Sequence, residues 1–109
     1  MNIFKTIDDA IKNAIPQLQT LDEIGKYTHY QVRHVRSNTV HIDTIAERIN
    51  DKLCSTTGMA AIIVLANYRG PGLHSMLDGN HRYKAALKSC ASNYPVIFIE
   101  RNVWSKYTP

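Results

Sequence analysis

The chain has 109 residues, 44% apolar and 20% charged, with a formal net charge of +4. That size supports one hydrophobic core and no second. The composition excludes a low-complexity or disordered polypeptide, and no apolar run approaches the roughly 18–20 residues of a membrane span. The positive balance permits an anionic partner. Lys and Arg are nevertheless scattered, with only a modest cluster at Arg33, His34 and Arg36, so composition does not single out nucleic acid.

The first element is predicted in "TIDDAIKNAI". Ile7, Ala10, Ile11, Ala14 and Ile15 mark one helical face, Thr6 is placed as the N-cap, and Pro16 ends the pattern. "TLDEIG" predicts a short helix with Thr20 as cap, Glu23 completing a capping box and Gly25 as terminator. "YQVRHV" alternates and predicts an extended segment. A longer helix is predicted in "HIDTIAERINDKLC", where Ile42, Ile45, Ala46, Ile49 and Leu53 form the core stripe and His41, Thr44 and Arg48 share another face. The nearly unbroken apolar run "MAAIIVLANY" predicts a strand covered on both sides. "RGPG" turns the chain and "LHSML" returns antiparallel. The next helix is expected to bury Tyr83, Ala86, Leu87 and Cys90; "PVIFIE" is the last strand and "RNVWSKYTP" a tail.

Strands interleaved with helices predict an α/β (α+β) domain, a small mixed β-sheet with helical cover. The boundaries expected are a single domain over 1–109, with a helical extension at 1–29, a core at 30–100 and a tail at 101–109. Cys54 and Cys90 are far apart and form no C-x-x-C pair, which predicts reduced thiols in a cytoplasmic chain. "MNIFKTIDDAI" lacks the apolar stretch of a secretory signal. The five histidines, His29, His34, His41, His74 and His81, have no H-E-x-x-H or similar spacing, so magnesium is expected only as a nucleotide brings it.

The densest chemistry lies in "LDGNHRYKAAL", where Asp78, Gly79, Asn80, His81 and Arg82 stand at the mouth of a helix. A helix N-terminus offers unpaired N–H groups and partial positive charge to an anion. Gly79 permits a tight turn, Arg82 adds a planar fork of donors, and Asn80 and His81 add neutral ones. Asp78 would repel a phosphate unless it meets a magnesium ion or takes up a proton. A purely structural reading stands beside this one: Asp78 or Asn80 as cap, His81 exposed, and Arg82 paired with a surface acid such as Glu100.

"DGNHRYKAAL" behind an apolar hairpin and ahead of "YPVIFIE" resembles the core of the ParB/sulfiredoxin-like domains. "IDTIAERI" is similar to the helix before that hairpin and "YQVRHVR" to the earlier extended segment, so the resemblance spans roughly residues 30 to 100. It implies a nucleotide-binding domain of stand-alone type, the sort met in phage or plasmid proteins, with ATP or CTP and magnesium as ligands and an NTPase or phosphotransferase activity. In the site it implies, Gly79, Asn80, His81 and Arg82 hold phosphates, Arg33, His41, Thr44 and Arg48 add contacts, and Asp78 and His81 carry the chemistry. Asn80 stands where sulfiredoxins place the reactive cysteine, and an amide cannot attack sulfur, which argues against sulfinic acid reduction. "NHR" replaces the Glu-Arg-Arg of partition proteins, and the residues after the last strand are too few for their further domains. The upstream glutamate base of the serine-kinase branch has no clear counterpart. The alternative expectation is a non-catalytic module that binds DNA or a host protein through the same basic mouth.

Overall fold

The computed structural model describes the backbone of residues 3–29 and 39–105 and the side chains of residues 8–29 and 39–105. The expected extended segment "YQVRHV", with Arg33, lies outside the described residues. In chain order the elements are α1 (Ile3–Asn13), β1 (Gln17–Thr20), α2 (Leu21–Gly25), β2 (Thr28–His29), α3 (Thr39–Asp51), β3 (Ile62–Gly70), β4 (Leu73–Asp78), α4 (Asn80–Lys88), β5 (Asn93–Ile99) and α5 (Arg101–Trp104).

The strands form a single mixed sheet in the order β1-β5-β3-β4-β2. β3 and β5 run parallel at its centre, β4 returns antiparallel on β3, β1 pairs antiparallel with β5, and the short β2 lies parallel to β4. The unbroken apolar run predicted a strand covered on both faces, and β3 is one. Ile62 and Val64 join the core under α2, α3 and α4, whereas Ile63 and Leu65 join the opposite core with Ile97, Ile99 and Trp104. Alternation with period two sends successive side chains to opposite faces. Each such fully buried Ile, Leu or Val contributes roughly 1.5–3 kcal/mol. Ala10 and Ile11 of α1, with Ala14 just beyond its end, pack on the second core. The architecture is thus α+β, as expected, and no helix among the described residues is long and apolar enough to cross a membrane.

Several local expectations are corrected. α1 begins at Ile3, so Thr6 lies inside the helix and is not its cap. The apolar spacing Ile3, Ile7, Ala10, Ala14 continues the stripe backwards. Residues 17–29 are not a helical extension: β1 and β2 form both edges of the sheet, and Thr20 caps α2 by accepting from the Glu23 N–H at 3.2 Å. Leu53 was placed in the α3 stripe but is 90% exposed. The helix ends at Asp51, and Leu53 and Cys54 then take positive φ values of 55° and 69°, turning the chain off the helical path. On α4 the buried residues are Ala85 and Ala86, not Leu87, which is 56% exposed, nor Cys90, also exposed. The final segment is not merely a tail: α5 carries Trp104 into the second core, where its indole N–H donates to the Ala66 carbonyl at 2.9 Å.

The largest correction concerns the cysteines. Cys54 and Cys90 form a disulfide across a Cα–Cα distance of 5.2 Å, well suited to a bridge. Sequence distance concealed the pairing. The turn after α3 and the end of α4 meet because those two helices pack side by side on the same sheet face.

Candidate functional site

The turn at Asp78 and Gly79 is built as its sequence requires. β4 ends at Asp78, opposite Ile63, and Gly79 takes φ 122° before α4 starts at Asn80. A Cβ on Gly79 would stand 2.8 Å from Ile62 Cγ1 and 3.1 Å from its Cα, so the glycine provides both the backbone angle and the close approach to β3. Neither Asp78 nor Asn80 caps α4, because the N-cap position is Gly79 and no side chain bonds there. Asn80 instead has its amide nitrogen buried without a hydrogen-bond partner.

Arg82 does not pair with Glu100. Its guanidinium donates to the Ala61 carbonyl at 3.0 Å, and one nitrogen lies 3.8 Å from the Asp78 carboxylate. That carboxylate is 71% exposed, so the ion pair contributes little and leaves Asp78 facing solvent beside the helix mouth. His81 stacks edge-on against His41 of α3, with ring centroids 5.4 Å apart.

Between α3, the loop from α3 to β3 and the first turn of α4 lies a cleft of about 310 Å³. His41, Ile45, Arg48 and Lys52 line it from α3 and its end, Gly58, Met59 and Ala60 from the loop, Arg82 from α4 and Tyr94 from β5. None of these residues is acidic. Three of the side chains donate into the same loop: Lys52 to the Thr57 carbonyl at 2.9 Å, Tyr94 to Ala60 at 2.9 Å and Arg82 to Ala61 at 3.0 Å. Their positions are thereby set, while the guanidinium, with five N–H donors, and the ammonium, with three, retain capacity for a ligand. Burial pushes the Tyr94 phenol above its ordinary pKa of 10.0, and the positive charges of Arg82 and Arg48 act in the opposite direction. Both guanidiniums therefore reach the phenol electrostatically.

The structure brings together His41, Arg48 and Arg82 of the expected set, with His81 behind His41. It does not bring Thr44, whose hydroxyl donates to the Val40 carbonyl of its own helix at 2.9 Å. Gly79 is buried against Ile62 and supports the turn without lining the cleft. Arg33 lies outside the described residues. No protein-family model matches the chain, and neither does a curated protein or a solved structure.

Lys52 and Tyr94 were missed. Lys52 was legible: His41, Ile45, Arg48 and Lys52 follow i, i+4, i+7 and i+11, a helical stripe that includes Ile45 and leaves out Thr44. Tyr94 had no such signal, because only the strand pairing of β5 with β3 carries it beneath the cleft.

Proposed function

We propose that the cleft binds a phosphate-bearing ligand, and that this ligand is a nucleotide. The observation that carries the reading is the convergence of Arg48, Lys52 and Arg82 on one concave site with no acidic lining residue. Phosphate oxygens would accept from the two guanidiniums and the ammonium, where charge-assisted bonds are the strong ones. Ile45 and Met59 supply the apolar surface against which a base or sugar can rest. Small-molecule sites commonly occupy about 300–1,000 Å³, so the volume suits one nucleotide, whereas duplex DNA needs an extended basic stripe. DNA or a host protein is therefore the less favoured occupant.

The described residues contain no group of three His, Cys, Asp or Glu placed to hold a metal ion. Magnesium enters the reading only as carried on the ligand's phosphates. Asp78 is the carboxylate beside Arg82 that would meet such an ion or accept a proton, which keeps an NTPase or phosphotransferase role within the proposal. Of the helix-mouth residues Arg82 lines the cleft, and the resemblance of that stretch to ParB/sulfiredoxin-like domains favours the same reading.

Calorimetric titration with ATP and with CTP, each with and without magnesium, tests the proposal. Saturable binding that Arg82→Ala abolishes supports it. Binding of duplex DNA at low salt, without response to either nucleotide, overturns it in favour of nucleic acid.

A further inference from the structure

The Cys54–Cys90 bridge lies beside the cleft and anchors the loop that forms one of its walls. We infer that it is a redox-responsive latch: reduction frees residues 53–55, the segment between Lys52 and the anchored wall of the basic cleft, and so loosens the hold on Lys52. The effect on affinity rests on the phosphate-site reading above, whereas the latch itself does not.

The two legs of the loop are held differently. The leg entering β3 is tied at several points. The buried Thr56 hydroxyl donates to the Asn93 carbonyl at 3.1 Å, and Tyr94 and Arg82 hold Ala60 and Ala61. The leg leaving α3 bonds back onto its own helix end, where the Leu53, Cys54 and Ser55 N–H groups donate to the Asn50, Ile49 and Lys52 carbonyls at 3.1, 3.1 and 3.2 Å, and the bridge is what carries it across to the end of α4. Leu53 is 90% exposed and adds no burial, and Leu53 and Cys54 both have positive φ, which L residues rarely adopt. Beside the sulfurs, the Cys90 N–H donates to Asn50 Oδ1 at 3.1 Å, which ties the end of α4 to α3 itself and not to this leg. Opening the bridge removes the main covalent restraint on the two left-handed residues. Lys52 immediately precedes them, and its bond to Thr57 spans the loop.

Both cysteines are exposed, so a thiol can reach either sulfur. A small dithiol reductant would attack one sulfur as thiolate and form a mixed disulfide, expelling the other cysteine as a thiolate that then takes up a proton. The second thiol of the reductant resolves the mixed disulfide. Two electrons and two protons reach the protein, which gains two thiols, and the reductant leaves as its disulfide. Disulfides in a reducing compartment are usually transient and redox-sensing. A loop preordered by the bridge costs the ligand less to organise, so the oxidised form is the tighter binder.

The test compares the oxidised full-length protein, the same protein after dithiothreitol reduction and a Cys54→Ser/Cys90→Ser variant. Amide hydrogen exchange is followed across residues 50–62, and ATP affinity is measured by calorimetry. Reduction is expected to speed exchange across residues 53–55 by about tenfold or more while the first turn of α4 is unchanged. It should also weaken ATP binding about fivefold or more. The serine variant should match the reduced protein in both readouts. Equal exchange in the two redox states overturns the latch. Faster exchange with unchanged affinity, in a protein whose ATP binding is lost in Arg82→Ala, overturns the coupling and leaves the binding site standing. If no form binds ATP, the binding reading fails, and exchange alone upholds or overturns the latch.

Discussion

The guanidinium of Arg82 donates to the carbonyl of Ala61 at 3.0 Å, joining the first turn of α4 to the residue that precedes β3. The same side chain lines the cleft, so it serves both fold and site. Arg82→Ala should lower stability by about 1–2 kcal/mol, less than a fully buried charged hydrogen bond would contribute because the group is partly exposed. Asp78→Asn should change stability by no more than about 0.5 kcal/mol, since its ion pair is long and solvated. Urea unfolding of the two variants measures the contrast. Equal losses would mean that the Asp78 pair, and not the Ala61 bond, holds Arg82.

Gly79→Ala should destabilise by about 3 kcal/mol, from a backbone angle that L residues resist and a Cβ pressed into Ile62. Because the clash is with Ile62 Cα as well as its side chain, Ile62→Val should rescue only part of that loss. Urea midpoints of the single and double variants check this, and full rescue would show that backbone contact is not the obstacle.

Alkaline pH should destabilise the fold through Tyr94, and to a smaller degree through Tyr27. Burial raises both phenols, with the Glu23 charge adding to the effect at Tyr27. A raised folded-state pKa means that the folded chain holds its proton longer than the unfolded one. Stability is thus fully present below pH 10.0 and falls as pH rises through the folded pKa. Tyr94→Phe should flatten the fall above pH 10 while lowering stability at pH 7 by about 1 kcal/mol through loss of the Ala60 bond. Denaturant midpoints between pH 8 and 11 measure it, and an unchanged alkaline slope in Tyr94→Phe would contradict the assignment.

How much of this was legible in the sequence follows from how local each signal is. The β3–β4 hairpin, the stripe of Ile42, Ile45, Ala46 and Ile49 and the glycine turn before α4 were readable, because period, turn chemistry and backbone angle reside in neighbouring residues. β1 was not: Gln17–Thr20 is short and polar, and it is a strand only because β5 offers an edge to pair with. The burial of Trp104 and the Cys54–Cys90 bridge likewise depend on contacts far along the chain. The candidate site divides the same way. Arg82 was named from its residue type at the helix mouth, and His41 and Arg48 from a shared helix face that the family resemblance assigned to the site, whereas Tyr94 reaches the cleft through sheet pairing, which no local pattern encodes.

Reducing the bridge should also lower global stability, by about 2–4 kcal/mol in the chain-entropy view for a loop of this length. The separation of 36 residues is long enough for the effect to be seen as a fall in Tm. An unchanged Tm after complete reduction, with two thiols titrated, would mean that the other anchors hold both helix ends without the sulfurs.

The central claim is that Arg48 and Arg82 hold phosphate in the cleft, and a thermal melt with ATP tests it most directly. At about a hundredfold excess over its dissociation constant, ATP should stabilise the wild type by roughly 2.7 kcal/mol. In a domain of this size that is a rise in Tm on the order of 10 °C. An Arg48→Ala/Arg82→Ala variant that still unfolds cooperatively should show almost none of that rise. A wild-type Tm that ATP leaves unchanged, or a rise that persists in the double variant, would contradict the account.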